Sequence, residues 1–290
     1  MTATTRPATT PLKGLFSQVY RDILNNRVIL PSMPHVALRL RAAVNQPDFS
    51  AEKVARILET DAGASAYLIA IANSALYRGR VPITKVQTAV SRLGMASTRN
   101  LVMSYALRAM FTTRSRSLAK LLQQTWRTSA HLAALSSVIA QRVGHEPDEA
   151  MLAGLLQDIG ALPLLRGLDQ RKQAVTDPER ILATVESFTG KTGPVLLRHW
   201  GFEPTLIDAV RSRKDWLRDP APEADLGDIV LLARLHAGVG TPEQAEQPHI
   251  NAVPAYAKLF NEALGPDESL AILQEAESDV RDIMLILGVS

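Results

Sequence analysis

Cysteine is absent from this 290-residue chain. That absence excludes a disulfide framework, a thiolate zinc site, an iron–sulfur cluster and a cysteine nucleophile. Histidine is scarce too: His35, His131, His145, His199, His236 and His249 are scattered, and no two sit at helical ligand spacing. Any metal would therefore need a His and carboxylate set. Aromatics make up only 5% of the chain and do not interleave with its basic residues, so a stacking surface for nucleic acid is not expected. The net charge is +3, from 32 Lys and Arg against 29 Asp and Glu, too even to imply a polyanionic partner. No uncharged apolar run approaches the ~20 residues that cross a bilayer. Residues 1–11 lack the apolar centre of a signal peptide and read as a disordered tail, which leads to the expectation of a cytoplasmic chain.

Nucleotide, esterase and zinc-protease signatures are missing as well: there is no G-x-G-x-x-G, no G-x-S-x-G and no H-E-x-x-H. Gly190-Lys191-Thr192 resembles the end of a phosphate loop, but Val185 stands where its first glycine belongs. Arg39 and Arg41, or Arg114 and Arg116, could touch phosphates, though solvated basic residues are the simpler reading.

What is present is helical periodicity. Hydrophobic residues make up 46% of the chain and recur three and four apart, while alternating β-branched patterns are missing, so the fold is expected to be all-α. Helices are expected over 12–26, 36–44, 51–59, 62–74, 84–93 and 97–111, with Ser50 and Asp61 as N-caps for two of them. The polar stretch 112–117 marks a lobe boundary. A long amphipathic helix then runs from Leu118 to Val143 and stops at Gly144. The next begins at Pro147 and ends at Gly160, read as a left-handed C-terminal glycine. Further helices are expected over 177–189, 194–200, 204–213, 226–239, 254–264 and 266–287, with Asp177-Pro178 as a cap. The last carries an acidic face, either solvated or docked against a partner.

One carboxylate stands out. Asp158 falls at the C-terminal end of its helix, where the macrodipole disfavours negative charge, and its neighbours Gly154-Leu-Leu156 and Ile159 are apolar. A buried carboxylate there calls for a nearby cation, either a metal or a basic side chain.

Ala153-Gly-Leu-Leu-Gln-Asp-Ile-Gly-Ala-Leu162 resembles the helix of the HD-domain metal-dependent phosphohydrolases that carries the adjacent His and Asp. Upstream, Leu30-Pro-Ser-Met-Pro34, Ile71-Ala-Asn-Ser-Ala-Leu-Tyr77, Ile83 through Ala89 and Ser91-Arg-Leu-Gly94 are similar to the HDOD family, non-catalytic relatives of HD domains found in bacterial signalling proteins. The likeness covers about residues 12–216. It implies a two-lobed helical bundle: residues 12–114 as the N-terminal lobe, and 115–290 as a degenerate HD-like lobe with a helical extension from about 220.

HD chemistry needs adjacent His and Asp on one metal pair, further His ligands and a closing Asp, which together generate a hydroxide nucleophile. Against that pattern the chain has Gln157 before Asp158, Thr128 at the first His, Thr189 and Arg213-Lys214 at later ones, and Arg234 near the closing Asp. An amide is a poor substitute for imidazole. The resemblance thus implies a vestigial site with no metal and no cofactor, in which Asp158 pairs with Arg213, Lys214 or Arg234. Asn73, Ser74, Tyr77 and Trp126 are read as ligand-binding or structural. The implied role is a non-enzymatic signalling adaptor that binds a protein partner, with a small ligand in the inter-lobe cleft as a further option and neither nucleic acid nor membrane as a partner. The alternative is a phosphohydrolase acting on a nucleotide or cyclic dinucleotide through an altered site.

Overall fold

Helix starts in the computed structural model follow the capping chemistry. The Ser50 and Asp61 side chains accept from the backbone N–H of Lys53 and Ala64, and Asp177 accepts from that of Arg180 with Pro178 behind it. The structure describes residues 12–25, 27, 30–44, 50–74, 77, 79–170, 177–260, 271 and 274–289. The expected tail over 1–11 and parts of the expected helices over 254–264 and 266–287 lie outside them.

In chain order the helices are α1 (Leu12–Leu24), α2 (His35–Val44), α3 (Ala51–Leu58), α4 (Ala62–Ala72), α5 (Val86–Leu93), α6 (Met95–Met110) and α7 (Arg116–Arg142). They continue with α8 (Pro147–Leu156), α9 (Ala161–Gln170), α10 (Pro178–Trp200), α11 (Pro204–Arg211), α12 (Leu226–Ala237), α13 (Pro254–Phe260) and α14 (Glu277–Ile286). Two short 3₁₀ turns lie between α12 and α13, and among the described residues there are no strands. The fold is all-α, as its periodicity requires.

Helices α2 to α6 pack on one another, and α6 rests on α8. In the second half α7 and α8 form a tightly packed pair, because Gly154 lets the backbones meet: a Cβ there would lie 2.8 Å from Leu132 O and from Ala133 Cα. Every residue of α8 from Ala150 to Leu156 is buried. The apolar stretch Pro147–Asp169 is long enough to cross a membrane, but 94% of its most apolar window is buried against other helices, which marks it as core. Helix α1 reaches across to lie on α9 and α10, stacking Phe16 and Tyr20 against Phe188. The proline-bounded segment 30–34 is pinned the same way, since the Trp200 indole donates to the Pro31 carbonyl at 2.8 Å. At the far end α14 packs on α7, and Trp126 Nε1 donates to Leu287 O at 3.1 Å.

Four expectations need correction. A single helix, α10, replaces two, running through Gly190, Gly193 and Pro194. Packing of both halves against α9, α11 and α1 overrides the missing proline N–H. Helix α9 was not expected at all; its Pro163 sits in the first turn, where no intrahelical N–H bond is lost. Gly160 is not left-handed: the positive-φ glycines include Gly94, Gly144 and Gly201 but not Gly160. Its role is close approach, because a Cβ would meet Thr189 O at 2.2 Å and Gly193 N at 2.5 Å. Finally, the C-terminal helical pattern is interrupted by a turn at Ala276 rather than running unbroken to Leu287.

Candidate functional site

Helix α8 ends at Leu156, and the turn 157–160 carries Gln157 and Asp158 into the interior, where they are 0% and 6% exposed. The close approach at Gly160 presses this turn onto α10. Beyond the end of α11, Arg213 lays its aliphatic stem over Gly190, where a Cβ would meet its Cδ at 3.4 Å. Helix α12 brings Arg234 from the other side.

Two guanidiniums converge on one oxygen. Asp158 Oδ1 accepts from Arg213 Nη2 and from Arg234 Nη2, the latter at 3.0 Å, and both arginines are 5% exposed. Arg213 also donates through Nε to the Gln157 carbonyl at 3.1 Å and grips Glu186 with both terminal nitrogens, at 2.7 and 3.1 Å. Lys214 joins Glu186 at 2.7 Å. The cluster therefore holds two carboxylates and three cations.

Burial disfavours the charged form of Arg213, but the Asp158 and Glu186 carboxylates outweigh it and hold the guanidinium above its ordinary value. For Arg234 burial prevails, reinforced by repulsion from Arg213 and only partly opposed by Asp158, so its affinity for the proton is lowered. Burial would raise Glu186, yet the charges and hydrogen bonds of Arg213 and Lys214 bring it down to about 2. It stays ionised at any ordinary pH.

Gln157 is locked by its amide nitrogen, which donates to Ala153 O at 3.3 Å and Ala209 O at 3.2 Å. Its Oε1 and the Arg234 Nε are buried without a partner. Thr189 is buried on α10, its hydroxyl bonded to Val185 O. Thr128, by contrast, is exposed and bonded to Gln124 O of its own helix. The structure brings Gln157, Asp158, Thr189, Arg213 and Arg234 together and ties Lys214 to the cluster through Glu186, but it leaves Thr128 on the solvent side. Ser129, one residue on, is the buried oxygen of that turn of α7 and has no partner. Glu186 was missed in the sequence, although its place one turn before Gly190 on a helix facing Arg213 could have indicated it.

The other candidate residues are apart from this cluster. Asn73 clamps the backbone of Ile83, donating to its carbonyl and accepting from its N–H, each at 2.8 Å. Ser74 Oγ is buried without a partner. Tyr77 and Ser97 both reach Asp148, the former at 3.5 Å, joining the N-terminal helices to α8. Trp126 serves the contact with α14 already described.

A divalent metal does not fit this donor set. Each of the two carboxylates is already engaged by two cations, the amide offers one oxygen, and guanidiniums have no lone pair to give. Among the described residues no three His, Asp or Glu side chains come together.

The comparisons agree with this architecture. A candidate metal-dependent phosphohydrolase from Shewanella amazonensis SB2B superposes with a TM-score of 0.78 at 26% identity, over 95% of this chain and 99% of that one. An HDOD domain protein of unknown function from Geobacter sulfurreducens gives 0.66 at 22%, over 96% and 98%. A candidate signal transduction protein from Marinobacter aquaeolei VT8 gives 0.64 at 19%, over 96% and 65%. At those last two identities the likeness shows the fold alone. An uncharacterized protein from Treponema pallidum (strain Nichols) is 21% identical over an alignment 220 residues long that covers 71% of this chain and 42% of that protein, so the chain spans about two fifths of the length of the curated relative it matches. The HDOD domain family model matches residues 30–216, more than half of the sequence, and the chain belongs to the HDOD family.

Proposed function

We propose that this chain is a non-hydrolytic signalling adaptor that acts by binding a protein partner. One observation carries the reading: Asp158, the carboxylate that would anchor a metal in an HD hydrolase, is neutralised by Arg213 and Arg234. Fixed guanidiniums balance charge as a metal would, but they cannot hold a water and lower its pKa to make hydroxide. The site is then a structural joint that ties the turn after α8 to α10, α11 and α12.

The Shewanella relative's description favours a second reading, a metal-dependent phosphohydrolase, with a nucleotide or cyclic dinucleotide as the expected substrate. Metal analysis of the purified chain, with hydrolysis assays across Mg²⁺, Mn²⁺, Fe²⁺ and Zn²⁺, separates the two. The adaptor reading expects substoichiometric metal and no turnover. Stoichiometric metal with turnover abolished in Asp158→Ala would overturn it. Affinity capture, followed by reconstitution with the identified partner, tests the binding half.

A further inference from the structure

Helix α10 and the end of α11 enclose a groove of about 690 Å³, closed on one side by Tyr20 of α1. The α10 residues that line it are Ala183, Glu186, Ser187, Gly190, Lys191, Pro194 and Arg198, which are spaced as one helical stripe. The opposite wall is Arg211, Arg213, Lys214 and Asp215. Five lining side chains are cationic and two are acidic.

The commitments of these charges are uneven. Arg213 is buried and engaged by Asp158 and Glu186, and Glu186 is engaged by Arg213 and Lys214. Arg211 pairs with Asp208 of its own helix. Lys191 and Arg198 are exposed and, among the described residues, have no anionic partner. Asp215 on the opposite wall is exposed and, among the described residues, has no ion-pair partner, so the uncommitted charges of the groove are two cations along α10 against one carboxylate, beside Pro194 and the ring of Tyr20.

From this we infer that the groove is a docking site for an acidic, extended segment of a partner protein. The inference rests on the adaptor reading and names the chemistry of the partner. Charge complementarity supplies the sign of the occupant. Shape supplies its form, because an open groove suits a chain laid along it better than an engulfed small molecule. Spacing supplies the pattern. Lys191 and Arg198 are seven residues apart on α10, about 10 Å along the axis, and a polyproline II chain, with three residues per turn and about 3.1 Å per residue, covers roughly that length in three residues and brings the side chain back to the same face. Acidic side chains three positions apart would meet the two cations, with an intervening residue on Pro194 and Tyr20.

The test is fluorescence anisotropy of the full chain with a labelled peptide carrying glutamate at every third position, beside its glutamine counterpart. The glutamate peptide is expected to bind with salt-sensitive affinity and the glutamine peptide not to bind. The double variant Lys191→Glu/Arg198→Glu should weaken binding roughly tenfold or more, whereas Arg80→Glu, an exposed charge outside the groove, should leave it unchanged. Circular dichroism confirms that the double variant folds. Equal loss in Arg80→Glu, equal binding of the glutamine peptide, or displacement of the peptide by inorganic pyrophosphate at matched concentration would overturn the assignment. If a partner identified by capture still binds the double variant, the groove assignment fails while the adaptor reading stands.

Discussion

Replacing Asp158 with alanine strands Arg234. Among the described residues the carboxylate is the only acidic group within ion-pair reach of that guanidinium, which is 5% exposed and already has an unpartnered Nε. Arg213 suffers less, because it keeps both bonds to Glu186 and its bond to the Gln157 carbonyl. At the observed 3.0 Å and an effective dielectric of about 20, the Asp158–Arg234 attraction is roughly 5 kcal/mol. Losing one partner of a buried pair typically destabilises by about 3–5 kcal/mol. At roughly 2–3 °C per kcal/mol for a chain of this size, Tm falls by about 6–15 °C. The companion variant Arg234→Met removes the stranded charge while keeping the volume of the stem. In the Asp158→Ala background it should therefore stabilise, giving a double variant closer to the original protein than Asp158→Ala alone. Urea unfolding followed by circular dichroism, arranged as a double-mutant cycle, reads this coupling. A loss below about 1 kcal/mol for Asp158→Ala, or a further loss on adding Arg234→Met, would show that the pair does not hold the site together.

Stability should also depend on pH through His236, which is 8% exposed on α12 and whose burial lowers its pKa to about 4. The unfolded chain takes up that proton near pH 6.5, so stability is full above that value and falls between about pH 6.5 and 4, by roughly 3 kcal/mol. His236→Gln should flatten this part of a urea midpoint series, and an unchanged slope would contradict the assignment. Gly160→Ala would place a methyl group against backbone atoms of Thr189 and Gly193. These cannot rotate away, so α10 must shift at a cost of about 3 kcal/mol, and a thermal midpoint within 2 °C of the original chain would refute the close-approach role.

The sequence revealed features whose cause is local. Ser50, Asp61 and Asp177 announce helix starts because a short acceptor can reach the N–H groups of the first turn without help from the rest of the fold. Gly144 stops α7 for an equally local reason, its φ of +76°. Gly160 and Pro194 were misread because their conformation is settled by neighbours distant in sequence. At Gly160 the missing Cβ makes room for α10, and at Pro194 packing on both sides keeps the helix going. The site divides the same way. Asp158, Arg213 and Arg234 could be singled out by charge and by resemblance, whereas which residue of α7 turns inward depends on helix phase. A shift of one residue separates exposed Thr128 from buried Ser129.

Arg234 lies beyond residue 216, where the family match ends, yet it completes the cluster around Asp158. Helix α12 packs on α7, α8 and α11, so it belongs to the same core as the matched segment. Its start is fixed independently: Asp225 and Asp228 form a reciprocal capping box gripped by Arg218, and Lys258 of α13 reaches Asp219 and Asp228. Those contacts tie the loop after Arg213 and helix α13 to the first turn of α12, two turns before Arg234. Because Arg213 and Arg234 share one oxygen of Asp158, a shift of α12 alters the charge balance felt by Arg213 and, through it, by Glu186 in the wall of the cationic groove. The buried ion-pair cluster and the proposed docking surface are thus joined through the Arg213 side chain, which would give any partner seated on α10 a physical connection to the C-terminal helices.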